Sequence, residues 1–171
     1  MNAEELVRRY AAGQRNFCRV DLRGENLSEV CLTDADLRGA DLSGADLSWA
    51  ILYQTDLSEA NLRDANLNGA NLIAAILFQT VLDSADLSRA NLSRISLFEA
   101  DLRETNLTKT NLTWASLVKA NLTRAILNQT ILTGADLSDA DLSDALLVGV
   151  SLRGATLTGT IMPDGTLHNS S

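Results

Sequence analysis

Every fifth residue from Leu22 to Leu157 is leucine, 28 in unbroken succession. The residue two places before each leucine is nearly always small. The lattice continues to Phe17 on one side and to Met162 and Leu167 on the other. The stretch Ala35-Asp36-Leu37-Arg38-Gly39, Ala40-Asp41-Leu42-Ser43-Gly44 shows the unit. A five-residue period matches neither the 3.6 of a helix nor the 2.0 of a flat strand. Each unit must therefore turn a corner, offering one large and one small apolar side chain inward and three polar ones outward. No unit can bury its leucine alone, so successive coils must stack.

The unit resembles the pentapeptide-repeat pattern Ala-(Asp/Asn)-Leu-(Ser/Thr/Arg)-X, over roughly residues 15 to 165. The resemblance implies an all-β fold, a right-handed quadrilateral parallel β-helix with four units to a 20-residue coil. About seven to eight coils at ~4.8 Å per strand spacing make a rod about 36 Å long. The resulting organisation is a capping helix over 1–14, the β-helix over 15–167 and a tail over 168–171. Six inward small sites hold threonine instead (Thr55, Thr80, Thr105, Thr110, Thr130 and Thr160), with hydroxyls expected to bond corner backbone. Val20, Val30, Ile95 and Val150 are larger inward residues that need local widening.

A solenoid end exposes its core and its strand edges, so it needs a cap. Ala3, Leu6, Val7 and Tyr10 fall on one face of an N-terminal helix, with Asn2 as N-cap, Glu5 in capping-box position and Gly13 at C′. The other end carries only the turn Pro163-Asp164-Gly165 and a short tail. It is expected either to be covered by that tail or to meet another molecule, giving a monomer or a weak dimer through the C-terminal end.

Composition narrows the function. A net charge of −8 disfavours nucleic acid and anionic membranes as partners. No apolar run approaches the roughly 20 residues of a membrane span, and the N-terminus carries Glu4, Glu5, Arg8 and Arg9, so a cytoplasmic location is the default. Cys18 and Cys31 read as free thiols, and His168 is the single histidine. No catalytic residue, cofactor-binding residue or metal ligand is predicted: the carboxylates stand in outward rows without a pocket, and no phosphate-binding glycine loop occurs.

Assigning residues to faces by their position in the 20-residue coil yields a surface map. One face collects nine acids and four arginines, Arg23, Arg63, Arg103 and Arg124. It reads as a solubilising surface whose acids belong to the repeat, or as an acidic strip for a basic partner. Apolar outward residues are the sharper anomaly. Phe78, Phe98 and Val118 share one outward site in three successive coils, with Ile76 beside Phe78. Ile51, Tyr53 and Ile73 cluster on a neighbouring face, and Trp49 and Trp114 project near corners. Such a ladder is either a partner site or cross-strand packing that stiffens the stack.

The expectation is a non-enzymatic rigid scaffold or protein-interaction module, with Ile76, Phe78, Phe98, Val118, Ile51, Tyr53 and Ile73 as candidate partner-binding residues. The resemblance implies an alternative, a DNA-mimicking protein of the gyrase-binding, quinolone-resistance type, and it points to bacterial, especially cyanobacterial, relatives. Against that alternative stand the missing amphipathic C-terminal helix, the unbroken register and the lack of recurrent phenylalanine at the central site.

Overall fold

A computed structural model describes residues 1–168. Twenty-six parallel bridges, Asn16 to Asp36 through Asp141 to Ile161, each link a residue to the one 20 positions on, without a gap. Four units therefore complete one coil. The bridges are single-residue contacts rather than long strands, because each side of the coil is only five residues before the next corner. The paired segments of ordinary kind are β1 (Thr160–Ile161) and β2 (Leu167–His168), and the helix is α1 (Ala3–Ala11).

The unit Ala40–Gly44 shows why the pattern folds this way. The Ala40 N–H closes a turn on the Leu37 carbonyl at 3.0 Å. The Asp41 N–H reaches back one coil to the Val20 carbonyl at 2.9 Å. Leu42 and Gly44 donate forward to the Asn61 and Arg63 carbonyls, both at 2.8 Å. The remaining donor, Ser43, is taken by the Asp41 side chain at 3.1 Å, and the Ser43 hydroxyl donates to the same oxygen at 2.7 Å. All five backbone donors are thus satisfied, which is what a packed chain requires. The aspartate or asparagine of the repeat is an acceptor for the donor two residues on, the Asx-turn arrangement.

The corner demands a left-handed residue. Every fifth residue from Arg19 to Gly159 has φ between +51° and +72°, and 21 of these are not glycine. A positive φ at the third turn position defines the type II class. Each such side chain costs about 1 kcal/mol, offset where its own N–H joins the coil-to-coil ladder.

Inside, the leucines from Leu22 to Leu142 are all at most 2% exposed. Thr55, Thr80, Thr110, Thr130 and Thr160 donate to the leucine carbonyl 23 residues earlier, as Thr55 does to Leu32 at 2.8 Å; Thr105 instead bonds Leu102 of its own turn. Ile95 is fully accommodated, whereas Val20, Val30 and Val150 lie at the ends and are half-buried.

Helix α1 plugs the first coil. Asn2 caps it, accepting from the Glu5 N–H at 2.9 Å, and Leu6 is fully buried. Glu5 pairs with Arg9 rather than turning back to Asn2. The cap is tied down by Ala3 N–H on the Glu25 carboxylate and Tyr10 hydroxyl on the Thr33 carbonyl, both at 2.9 Å. Gly13 has φ +92° just past the helix. Val7 is exposed, facing a groove against Leu27, Val30 and Cys31 rather than the core.

The opposite end has no helix among the described residues. The chain turns at Met162 to Gly165, and β2 pairs antiparallel with β1, Thr160 opposite His168 and Ile161 opposite Leu167. Tail residues 169–171 lie outside the described residues.

Candidate functional site

The apolar candidates form one surface rather than two. Ile73 and Ile76 flank a single corner, where the outward residue is Ala74 at φ +57°. The Ile51, Tyr53 and Ile73 cluster thus continues round that corner into Ile76, Phe78, Phe98 and Val118. Ile51, Tyr53 and Ile76 are exposed; Ile73, Phe78, Phe98 and Val118 are half-buried. The rings of Phe78 and Phe98 stack with centroids 5.9 Å apart and planes 14° apart. Lys119 Nζ lies 5.7 Å from the Phe98 centroid and 3.8 Å from Glu99, which accepts from the Gln79 amide at 2.9 Å. The ladder is therefore packed along one edge and open on its outer side.

A second property coincides with the first. In the same row, the N–H groups of Cys18, Arg38, Ser58 and Ser138 are each taken by the Asn or Asp two residues before. Ile76, Ser96 and Ser116 stand where that acceptor should be for Phe78, Phe98 and Val118. Those three backbone donors, on consecutive coils, have no acceptor among the described residues. Ile51 leaves Tyr53 in the same condition. The patch thus offers apolar side chains together with unmatched backbone donors. That combination was invisible while the Asx role of the aspartate position was unknown; the cue in the sequence is the loss of Asp or Asn before an aromatic.

The acidic face behaves differently. Arg23 pairs with Asp21 at 2.7 Å, Arg63 with Asp83 at 3.0 Å, Arg103 with Asp101 at 2.6 Å, and Arg124 with Glu104. Asp83 also lies 4.0 Å from Arg103, so the pairs run from coil to coil. All four arginines are engaged with acids of their own face, which breaks its negative field. The Arg23 guanidinium holds the Asp21 carboxyl down at about 2. Arg38, on another face, likewise holds Asp36 below the usual carboxylate range.

Trp49 and Trp114 occupy left-handed corners and remain 57% and 65% exposed. Each indole covers a glycine of the next coil. A Cβ on Gly69 would lie 2.6–2.7 Å from three ring atoms of Trp49, and one on Gly134 2.5–2.8 Å from the same atoms of Trp114. The two thiols differ: Cys18 donates to Asp36 at 2.9 Å and its pKa is raised, whereas the Thr33 N–H and hydroxyl lower that of the exposed Cys31. Among the described residues, no group of three or more His, Cys, Asp or Glu side chains converges as metal ligands would, and no helix is long and apolar enough to cross a membrane.

Such a stack, with coupled outward rows around a filled core, defines a repeat solenoid whose chemistry is confined to its surface. The pentapeptide-repeat pattern matches residues 21–58, 40–79, 55–94, 95–134 and 135–171, so the chain belongs to the pentapeptide-repeat family. It is similar to a pentapeptide-repeat protein of the Arabidopsis thaliana thylakoid lumen, at 38% identity over 60% of this chain and 68% of that one, with a TM-score of 0.51. It is also similar to HetL, a protein involved in heterocyst differentiation regulation from the cyanobacterium Nostoc, at 31% identity over 98% of this chain and 100% of that one, with a TM-score of 0.27. A second Nostoc pentapeptide-repeat protein matches at 35% identity over 79% of this chain and 80% of that one, with a TM-score of 0.26. A comparison with curated proteins finds no significant match.

Proposed function

We propose that this chain is a non-enzymatic, rigid scaffold whose coils wind in the right-handed quadrilateral form of its family and which docks a protein partner on the surface running from Tyr53 round Ala74 to Phe98. The observation that carries the reading is the coincidence there of outward apolar side chains with unmatched N–H groups at Tyr53, Phe78, Phe98 and Val118. Such a surface favours a partner that brings apolar groups and backbone or side-chain acceptors together. Ion pairs on the acidic face argue against a continuous DNA-like field, so the gyrase-binding alternative gains no support from that side.

Rigidity follows from the stacking: each coil is bonded to both neighbours at every side, so the patch is presented with little ordering cost on binding. The test is a native pull-down comparing the wild type with Phe78→Asp/Phe98→Asp. A partner recovered by the wild type and lost only in the variant supports the reading. Equal recovery by both assigns the ladder a structural role.

A further inference from the structure

We propose that the side of the rod built from the units on Leu52, Leu72, Leu92 and Leu112 docks an acidic segment of a protein partner, centred on Arg89, Arg94, Lys109 and Trp114. It rests on the reading of the chain as a docking scaffold, but not on the Phe78 and Phe98 ladder.

The charge distribution singles out this side. Glu29 and Asp34 stand at its corners in the first coil. From Trp49 onward, neither the side nor its corners carries any of the chain's 22 acids. At mid-height the exposed charges are all positive, in a chain of net charge −8: Arg89 and Lys109 on one corner in successive coils, and Arg94 on the other. None of these three side chains has an ion pair or a hydrogen bond among the described residues. Between them, Asn91 and Asn111 accept from the Ser93 and Thr113 N–H groups at 3.2 Å and 3.0 Å, so the floor is neutral and satisfied.

Two other corners show how this chain places charges one coil apart. Glu99 meets Lys119 at 3.8 Å, and Glu104 pairs with Arg124. The same relation here sets Arg89 against Lys109, at a coil spacing of about 4.8 Å. A carboxylate from outside relieves that repulsion.

Aromatic side chains frame the same side. Trp49 stands on one corner and Trp114 on the other, each laid over a glycine of the next coil and otherwise open. Ile51, Tyr53 and Ile131 are exposed between the corners. Tryptophan, tyrosine and arginine are the residues that dominate protein interfaces, and unpaired cations beside apolar groups fit a segment carrying both carboxylates and apolar side chains. A long polyanion such as nucleic acid is opposed by the net charge of −8, whereas a short acidic segment meets the local cations.

The test uses a fluorescein-labelled synthetic peptide of Asp and Glu punctuated by single Leu and Phe residues. The chain itself places glutamine at left-handed corners, at Gln54, Gln79 and Gln129, so Arg89→Gln/Arg94→Gln/Lys109→Gln suits the backbone. Anisotropy titrations at low ionic strength are expected to show wild-type binding that salt weakens and that this variant weakens by about tenfold or more, through the loss of three charge pairs. The Trp114 indole N–H resonance is expected to shift on titration. Arg23→Gln/Arg63→Gln/Arg124→Gln, which removes the same charge from the acidic face, is expected to bind as the wild type does. Phe78→Ser/Phe98→Ser is also expected to bind unchanged, which separates this surface from the ladder. No binding by the wild type, equal loss in the two glutamine variants, or loss confined to the serine variant would each overturn the proposal. So would undiminished binding of the peptide with Asn and Gln in place of Asp and Glu, or tighter binding of an oligothymidylate.

Discussion

The indole of Trp49 lies on the backbone of Gly69, one coil further along, with Cε3 only 2.6 Å from where a Gly69 Cβ would stand. The three nearest ring atoms are almost equidistant from that point, which places it over the face of the ring rather than at its edge. Any side chain at Gly69 must push the indole into solvent. Gly44 has nothing within 4 Å, so alanine there meets only the left-handed strain. Gly44→Ala is expected to cost about 1 kcal/mol. Gly69→Ala is expected to cost about 1–2 kcal/mol more, through the lost ring packing. Denaturant melts of the two single variants and of Trp49→Ala/Gly69→Ala check this, because the excess must vanish when the indole is gone.

Restoring an acceptor in the unmatched row should stabilise the chain. Ser116→Asn places an amide oxygen two residues before Val118, in the arrangement that Asn121 makes with the Thr123 N–H at 3.0 Å. The expected gain is about 0.5–1.5 kcal/mol. Residue-resolved amide exchange should show the Val118 N–H fast in the wild type and slowed in the variant.

Acid should act through the carboxylates. Asp21 falls from 3.8 to about 2 in the folded chain, held by hydrogen bonds from Arg23, and Asp36 is held low by Arg38. A folded pKa below the unfolded one contributes stability that is present above the unfolded value and lost as pH falls through the folded value. Thermal midpoints are therefore expected to hold from about pH 7 to about pH 5 and to decline between about pH 4 and about pH 2. Arg23→Ala with Arg38→Ala should lower the midpoint at neutral pH and flatten that decline, because a carboxyl whose folded and unfolded pKa values coincide adds no pH dependence.

A buried leucine in mid-stack has no freedom to be replaced by collapse, since fixed coils lie on both sides. Leu87 is fully buried, and Leu87→Ala is expected to cost about 2–5 kcal/mol. Leu152 is half-exposed on the last coil, so Leu152→Ala is expected to cost less than half as much. Chemical denaturation of both variants reads the difference directly.

The leucine lattice, the 20-residue coil, the N-terminal cap and the inward threonines were legible because a strict period fixes which side chains face inward. Phe78, Phe98 and Val118 stood out for the same reason. What lay beyond the sequence depends on pairs separated by one coil or by a backbone angle. Trp49 and Trp114 read as corner projections, but their glycine seats need the stacking register. The joining of Ile73 to Ile76 needs the corner geometry at Ala74. Val7 shared the helix's apolar face in sequence yet stays exposed, because Leu6 fills the mouth of the first coil with Met1, Ala3 and Tyr10 packed beside it. The partial exposure of Leu147, Leu152 and Leu157 was hidden because all three obey the repeat perfectly.

The central claim is that a protein partner sits on the Phe78 and Phe98 side of the rod. A photoreactive phenylalanine analogue placed in turn at positions 78, 98 and 138 tests it in living cells, since Ser138 occupies the same outward row beyond the patch. The account predicts one discrete adduct, shared by positions 78 and 98 and absent at 138. The same adducts at all three positions, or none at 78 and 98, would contradict it.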